Sequence, residues 1–181
     1  TERRIWPFYS KAHNAMLTDN WYMWPVYKYN RVFSPPLDRS RTRILFFLYN
    51  YVDEKSTETG RSHRRADLWP LYTWRHDFNG NERLQVMAIP EPFFPNNKSI
   101  ERDYSPLYSF WIAEKNPRAG TTSQSLLWNL YRRETAPHVK KISLLFGLFQ
   151  YQSSLAGKRW RLFYIPAGRS HAVWPHPAPQ H

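Results

Sequence analysis

The stretch Arg64-Arg65-Ala66-Asp67-Leu68-Trp69-Pro70-Leu71-Tyr72-Thr73-Trp74 decides the reading of this chain, because its Trp-Pro-Leu-Tyr phrase returns along the whole length. The other copies are Trp6-Pro7-Phe8-Tyr9, Trp24-Pro25-Val26-Tyr27, Phe46-Phe47-Leu48-Tyr49, Ser105-Pro106-Leu107-Tyr108, Trp128-Asn129-Leu130-Tyr131 and Phe146-Gly147-Leu148-Phe149. Successive copies are 18, 22, 23, 36, 23 and 18 residues apart, and the long step leaves room for a strand of another type near Val86. A period of this length marks one structural unit copied many times. It speaks to architecture more directly than to activity.

The residues around each copy favour strands. Tyr, Trp, Phe and Thr crowd the apolar segments, and these residues fit a pleated surface. Polar, turn-forming stretches separate them, among them Asp77-Phe78-Asn79-Gly80-Asn81, Asn116-Pro117-Arg118-Ala119-Gly120 and Ala156-Gly157-Lys158. Asn-Gly is a strong hairpin signal. Nine strands are predicted, over 3–10, 20–33, 41–52, 65–77, 82–91, 100–113, 122–133, 139–152 and 158–166. Two longer segments match. Trp69 to Pro90 and Phe146 to Pro166 each pass from a motif through a Gly-containing turn to a strand ending Ile-Pro. The expected organisation is a repeat-built β domain over 1–166 and a Pro/His-rich irregular tail over 167–181.

Side chains alternate between faces along a strand, so the copies align in columns. One face carries the Trp or Phe of each phrase and its aliphatic residue, then turns polar at Ser10, Lys28, Asn50, Thr73, Ser109, Arg132 and Gln150. The other carries Tyr9, Tyr27, Tyr49, Tyr72, Tyr108, Tyr131 and Phe149, followed by Tyr29, Tyr51, Trp74, Phe110 and Tyr151. This second face is long and apolar and must be covered. A membrane barrel covers it with lipid and carries aromatic girdles. A soluble barrel or pair of stacked sheets uses it as core. Pro within a sheet is confined to edges and bulges, so the Pro column is read as a repeated bulge that curves the strands. The fold expected is all-β: an antiparallel up-and-down meander of about nine strands, forming a β-barrel in whole or in part.

Composition bounds the chemistry. The chain has 181 residues, 9 Trp, 12 Tyr and 11 Phe, far too aromatic for a disordered segment. It has no Cys, which removes disulfides, thiolate metal sites and Cys nucleophiles. No apolar run approaches the ~18–20 residues of a membrane helix. The first repeat begins almost at Thr1, as expected of a processed product or a fragment, so the lack of a leader does not count against export. The sequence contains no Gly-x-Ser-x-Gly, P-loop, Gly-x-Gly-x-x-Gly or His-Glu-x-x-His pattern. Ser62-His63 and Ser170-His171 have no triad context, and His171, His176 and His181 form a loose tail series. Asp67 and Asp103 stand two residues before the same motif position, and the expected role is a structural ion pair with Arg65, Arg102 or Arg4. No enzyme, cofactor or metal site is expected.

The net charge of +12 favours anionic partners. Basic clusters occur at Arg39-Arg41-Arg43, Arg61-His63-Arg64-Arg65, Arg132-Arg133, Lys140-Lys141 and Lys158-Arg159-Arg161. Those chosen as a ligand-binding basic rim at strand ends are Arg61, Arg64, Arg65, Arg132, Arg133, Lys140 and Lys141. Nucleic acid is not an expected partner, because the aromatics occupy regular strand positions rather than a stacking platform. Anionic lipid head groups fit a basic rim better.

The phrase with its Asn-Gly turn and Arg-flanked strands resembles uncharacterised bacterial envelope proteins with aromatic-rich WPLY/WPLF-type tandem repeats. Residues 64–166 carry the resemblance best, through Arg64 to Pro70, Ser125 to Tyr131 and Arg161 to Pro166. It implies a bacterial envelope setting and supplies no catalytic residues. The copies at 46, 105 and 146 lack Trp, and those at 46, 128 and 146 lack Pro. The expected role is a non-enzymatic structural or pore-forming outer-membrane β-barrel component of an envelope assembly, in contact with membrane lipid or lipopolysaccharide and with other subunits. The second reading is a soluble β-sheet binding protein or accessory subunit that meets an anionic ligand or protein partner through the basic rim.

Overall fold

The computed structural model describes residues 2–90, 93, 94, 97, 99, 103–163 and 165–170. The first half of the chain forms β1 (Glu2–Ile5), β2 (Tyr9–His13), β3 (Leu17–Tyr22), β4 (Tyr27–Ser34), β5 (Leu37–Ile44), β6 (Tyr49–Ser56), β7 (Ser62–Leu68) and β8 (Tyr72–His76). The second half forms β9 (Glu82–Val86), β10 (Trp111–Asn116), β11 (Thr121–Leu126), β12 (Tyr131–Ala136), β13 (Val139–Leu144), β14 (Phe149–Ser154), β15 (Gly157–Leu162) and β16 (Ile165–Ser170). A short helix, α1 (Ser105–Tyr108), follows a π-turn at Asp103 and Tyr104, and a 3-10 turn lies at Leu145–Gly147. Every strand pairs antiparallel with the next, giving one sixteen-stranded meander.

The all-β antiparallel meander is as expected, but the strand count is sixteen rather than nine. Seven of the nine predicted strands each contain a reversal at their centre. In six of them the repeat phrase is that reversal. Trp6-Pro7-Phe8, Met23 to Val26, Leu45 to Leu48, Trp69-Pro70-Leu71 and Leu127 to Leu130 are turns, and the following Tyr opens the next strand. The Pro column is therefore a turn column, not a mid-strand bulge. The Trp6-Pro7, Trp24-Pro25 and Trp69-Pro70 bonds are cis, as suits a tight turn. Copies without Pro reverse through left-handed residues: Leu45 and Phe46, Leu127 to Asn129, and Leu145 to Gly147. The fifth copy departs altogether, since Leu107 and Tyr108 lie in α1.

Successive apolar turns hydrogen-bond to one another, except across the fifth copy, where Leu127 donates to Phe110 O and Phe110 to Val86 O. Met23 N–H donates to Phe8 O (2.7 Å), Leu45 to Val26 O (2.8 Å), Trp69 to Leu48 O (2.8 Å), Met87 to Leu71 O (2.7 Å), Leu145 to Leu130 O (2.7 Å) and Phe163 to Leu148 O (2.8 Å). Pro carbonyls join in, Trp24 donating to Pro7 O and Ala88 to Pro70 O. In a turn the missing Pro N–H costs no ladder bond, while its carbonyl is still used. The turns thus form a stacked row along one end of the sheet. The opposite end carries mainly polar connections, including Thr57 to Arg61, Asp77 to Asn81 and Pro117 to Gly120. Asn79-Gly80 and Ala156-Gly157 both lie at that end, joining β8 to β9 and β14 to β15 as expected.

The stacked turns keep the register constant. Tyr9, Tyr22, Tyr27, Ile44, Tyr49, Leu68, Tyr72, Val86, Trp111, Leu126 and Tyr131 stand opposite one another in an unbroken row. Tyr9, Tyr27, Tyr49, Tyr72 and Tyr131 share one face, as the period-two columns require, and Trp111 takes the place expected for Tyr108. Closing a barrel requires strands to tilt and stagger. This row supplies no stagger, and the sheet is not closed into a barrel: β1 and β16 are not partners among the described residues. Regular structure extends to Ser170, into the stretch expected as a tail from 167; residues 171–181, with the three tail His, lie outside the described residues.

The polar-end turns test this arrangement locally. Gly120 has φ +61°, and a Cβ there would meet Pro137 Cγ at 3.1 Å; Gly60 has φ +66° with open space around it. Both substitutions meet the left-handed penalty of roughly 1–2 kcal/mol, and only Gly120 adds a steric one. Gly120→Ala should lower the denaturant midpoint more than Gly60→Ala, and equal shifts would contradict the packing of the β10–β11 turn on Pro137.

Candidate ligand-binding face

The two faces of the sheet differ in chemistry. The aromatic face carries the Tyr row and, two residues on, Tyr29, Tyr51, Trp74, Tyr151 and Trp160. No residue of these two rows is buried. The other face carries a row Ser10, Trp21, Lys28, Arg43, Asn50, Asp67, Thr73 and Gln85, and next to it Asp19, Asn30, Arg41, Val52, Arg65, Arg75 and Arg83. The buried side chains concentrate here: Asp67 is 0 % exposed, Gln85 1 % and Arg65 5 %. Among the described residues only Val52 and Ala88 are buried apolar residues. The interior of this chain is polar and its outside is aromatic.

Burial of charge is tolerated only with partners, and the centre of the charged face supplies them. Asp67 accepts hydrogen bonds from Arg65 Nε (2.9 Å to each carboxylate oxygen), from Asn50 Nδ2 (3.0 Å) and from Thr73 Oγ1 (3.0 Å). Asn50 Oδ1 in turn accepts from Arg41 Nε (2.8 Å). This network joins β5, β6, β7 and β8. It accounts for Asp67 as a structural partner of Arg65. Asp103 lies outside any strand and does not share its position.

Beside the network, on β4 and β5, a cavity of about 260 Å³ is lined by Lys28, Asn30, Val32, Arg39, Arg41 and Arg43. Burial, then Arg43 and Arg39, push the Arg41 guanidinium down to about 10, still cationic at neutral pH. A larger cavity of about 570 Å³ lies across β8 to β13, with Arg75, Arg83, Glu82, Glu114, Glu134 and Lys141 among its lining. Its charges are mixed and internally paired, as in Arg83–Glu114 (2.6 Å) and Arg132–Glu134 (2.6 Å). No group of three or more His, Asp or Glu among the described residues is placed to hold a metal ion.

The residues chosen from the sequence as a basic rim do not form one. Arg61 lies in the β6–β7 turn, at the polar end. Arg64 and Arg65 are inside β7 on opposite faces: Arg64 is exposed and meets Asp53 (3.5 Å), while Arg65 is buried against Asp67. Arg132 and Lys141 are on the charged face, Arg133 and Lys140 on the aromatic face. The cations that the fold does bring together are Lys28, Arg39, Arg41 and Arg43. Their signal was the alternation Arg39-x-Arg41-x-Arg43, which puts three cations on one face of a strand. Lys28 joins them only through its register opposite Arg43.

No protein-family model, curated protein sequence or solved structure matches this chain.

The Asp67 network carries a sharp expectation. Removing one partner of a buried ion pair costs about 3–5 kcal/mol, because the other charge stays buried. Asp67→Ala should therefore lower the chemical unfolding midpoint far more than Asp53→Ala, whose partner Arg64 is half exposed. Similar effects for the two variants would show that Asp67 does not anchor the charged face.

Proposed function

We propose that this chain is a non-enzymatic structural sheet of a bacterial envelope, seated by its apolar turn row in a lipid surface. The observation that carries the reading is the order of chemistry from one end of the sheet to the other. The turns expose Trp24, Leu45, Phe46, Phe47, Leu48, Leu71, Trp128, Leu145, Phe146 and Phe163. The Tyr row follows, and then the strands become rich in Arg and Lys. Hydrocarbon, interface and anionic head group select this sequence of apolar, Trp/Tyr and basic residues.

The amount of apolar surface supports the same reading. Sixteen strands at ~4.8 Å spacing give an end row ~70 Å long, so a rim ~10 Å deep presents on the order of 700 Å². Soluble monomers rarely expose patches above a few hundred Å². A sheet buries its apolar face against another layer; here Phe93 packs on Phe47 and Trp69, and Trp128 donates to Leu107 O in α1, while most of the turn row stays exposed. Strands of four to eight residues rise only ~13–26 Å, against the ~9–11 residues per strand of spanning barrels. The open edges and short strands thus support a surface-seated sheet over a closed pore. The resemblance to aromatic-rich envelope repeats points to the same compartment.

The test is partition into vesicles of mixed zwitterionic and anionic lipid, followed by Trp fluorescence with lipids brominated along the acyl chain. Trp24 and Trp128, exposed in the turns, should be quenched. Replacing Phe46, Phe47 and Leu48 with Ser should weaken partition about tenfold or more, since each loses burial worth roughly 1.5–3 kcal/mol. A chain that is monomeric without detergent and ignores vesicles would overturn the reading, as would self-association through this row.

A further inference from the structure

Two neighbouring strand pairs treat the same position differently. On β7, Arg65 is followed two residues later on the same face by Asp67, and the pair is closed at 2.9 Å. At the matching levels β5 carries Arg41 and then Arg43. The acid that neutralises one strand is replaced by a second cation on the other. Across the ladder Arg43 stands opposite Lys28, a like-charged pair directly facing, which is destabilising unless something lies between them.

The cations of this group outnumber their acidic partners. Lys28 meets Asp19 (3.3 Å) and Arg39 meets Glu54 (2.9 Å). Arg41 donates through Nε to neutral Asn50 (2.8 Å), and neither Arg41 nor Arg43 has a carboxylate at ion-pair distance among the described residues. Four cations face two carboxylates, which leaves two positive charges over a cavity of about 260 Å³. Burial and the neighbouring guanidinium groups hold Arg41 below its ordinary range, against a smaller opposing pull from the Asp67 carboxylate. Guanidinium groups are planar forks suited to bidentate capture of tetrahedral oxyanions.

We propose that the cavity between β4 and β5 binds a phosphate-type oxyanion, gripped by Arg41 and Arg43 with Lys28 completing the charge. The phosphate is borne by a lipid head group or is free in solution. Lys28 and Arg43 stand one residue beyond Tyr27 and Ile44, just past the apolar turn row, at the level where head-group phosphates would lie against a seated sheet. The site itself requires only the charged face and does not depend on lipid seating.

The experiment is calorimetric titration of the full chain with inorganic phosphate at low ionic strength. One saturable site is expected, weakened about tenfold or more by Arg43→Gln and weakened less by Arg43→Lys, which keeps the charge but loses the bidentate fork. Lys28→Gln should weaken it too, which serves if Arg43→Gln fails to fold. Arg133→Gln, on the aromatic face, is the control for net charge. Absence of saturable binding, or equal loss in the Arg133 variant, would overturn the proposal. A second arm compares phosphatidylcholine vesicles with and without phosphatidic acid. Loss of the phosphatidic acid increment in Arg43→Gln assigns the site to head groups; an unchanged increment beside weakened inorganic phosphate binding assigns it to free phosphate. A turn-row variant that no longer partitions but still binds inorganic phosphate separates this site from the seating of the sheet.

Discussion

The hydrogen bonds between successive apolar turns set the rest of the structure. A hairpin normally ends its ladder at the turn. Here the ladder runs on through most of the turns, which donate to a carbonyl of the turn before, as in Leu45 to Val26 and Leu145 to Leu130; past α1, Leu127 donates to Phe110 instead. Because turn is fixed against turn, strand is fixed against strand. A slip by one residue would move every side chain to the opposite face, and the hydrogen bonds along the turn row hold that slip out from β1 to β15; β16 is shifted against β15 at Trp160 and Arg161.

Constant register sorts the residues into rows, and the rows give the sheet its polarity. Most soluble sheets bury apolar residues and expose polar ones. This sheet buries Asp67, Arg65, Asn50 and Gln85 and leaves Tyr22, Trp24, Phe149 and Trp160 exposed. A polar interior holds only where every charge finds a partner. Asp67 meets that condition at the centre of the sheet through Arg65, Asn50 and Thr73, and Arg41 joins it through Asn50.

The same rows concentrate charge. Alternating Arg residues on β5 present three guanidinium groups to one face, and the register adds Lys28 from β4. Carboxylates from β3 and β6 balance part of this charge, through Asp19 and Glu54. The unbalanced remainder is a product of pairing: no single segment of the chain contains the group, and no loop is involved in forming it.

The strand-forming composition, the Asn79-Gly80 hairpin and the common face of Tyr9, Tyr27, Tyr49, Tyr72 and Tyr131 were legible in the sequence, because they follow from spacing and side-chain alternation alone. The reversal inside each phrase was not. Turns are ordinarily marked by Gly, Asn, Asp and Pro among polar residues, whereas Leu45-Phe46-Phe47-Leu48 and Leu127-Trp128-Asn129-Leu130 turn on bulky apolar residues whose pattern is that of a strand. Nine predicted strands therefore became sixteen. The basic rim failed for a related reason: Arg64 and Arg65 are adjacent in sequence, and adjacency in a strand means opposite faces. What the sequence by itself determined is the unit and its two-sided alternation, which are local. Which cations share a cavity, and which acid neutralises which arginine, was decided only by the tertiary structure, because those relations depend on cross-strand register, and register was set by turns that the chain disguises as strand.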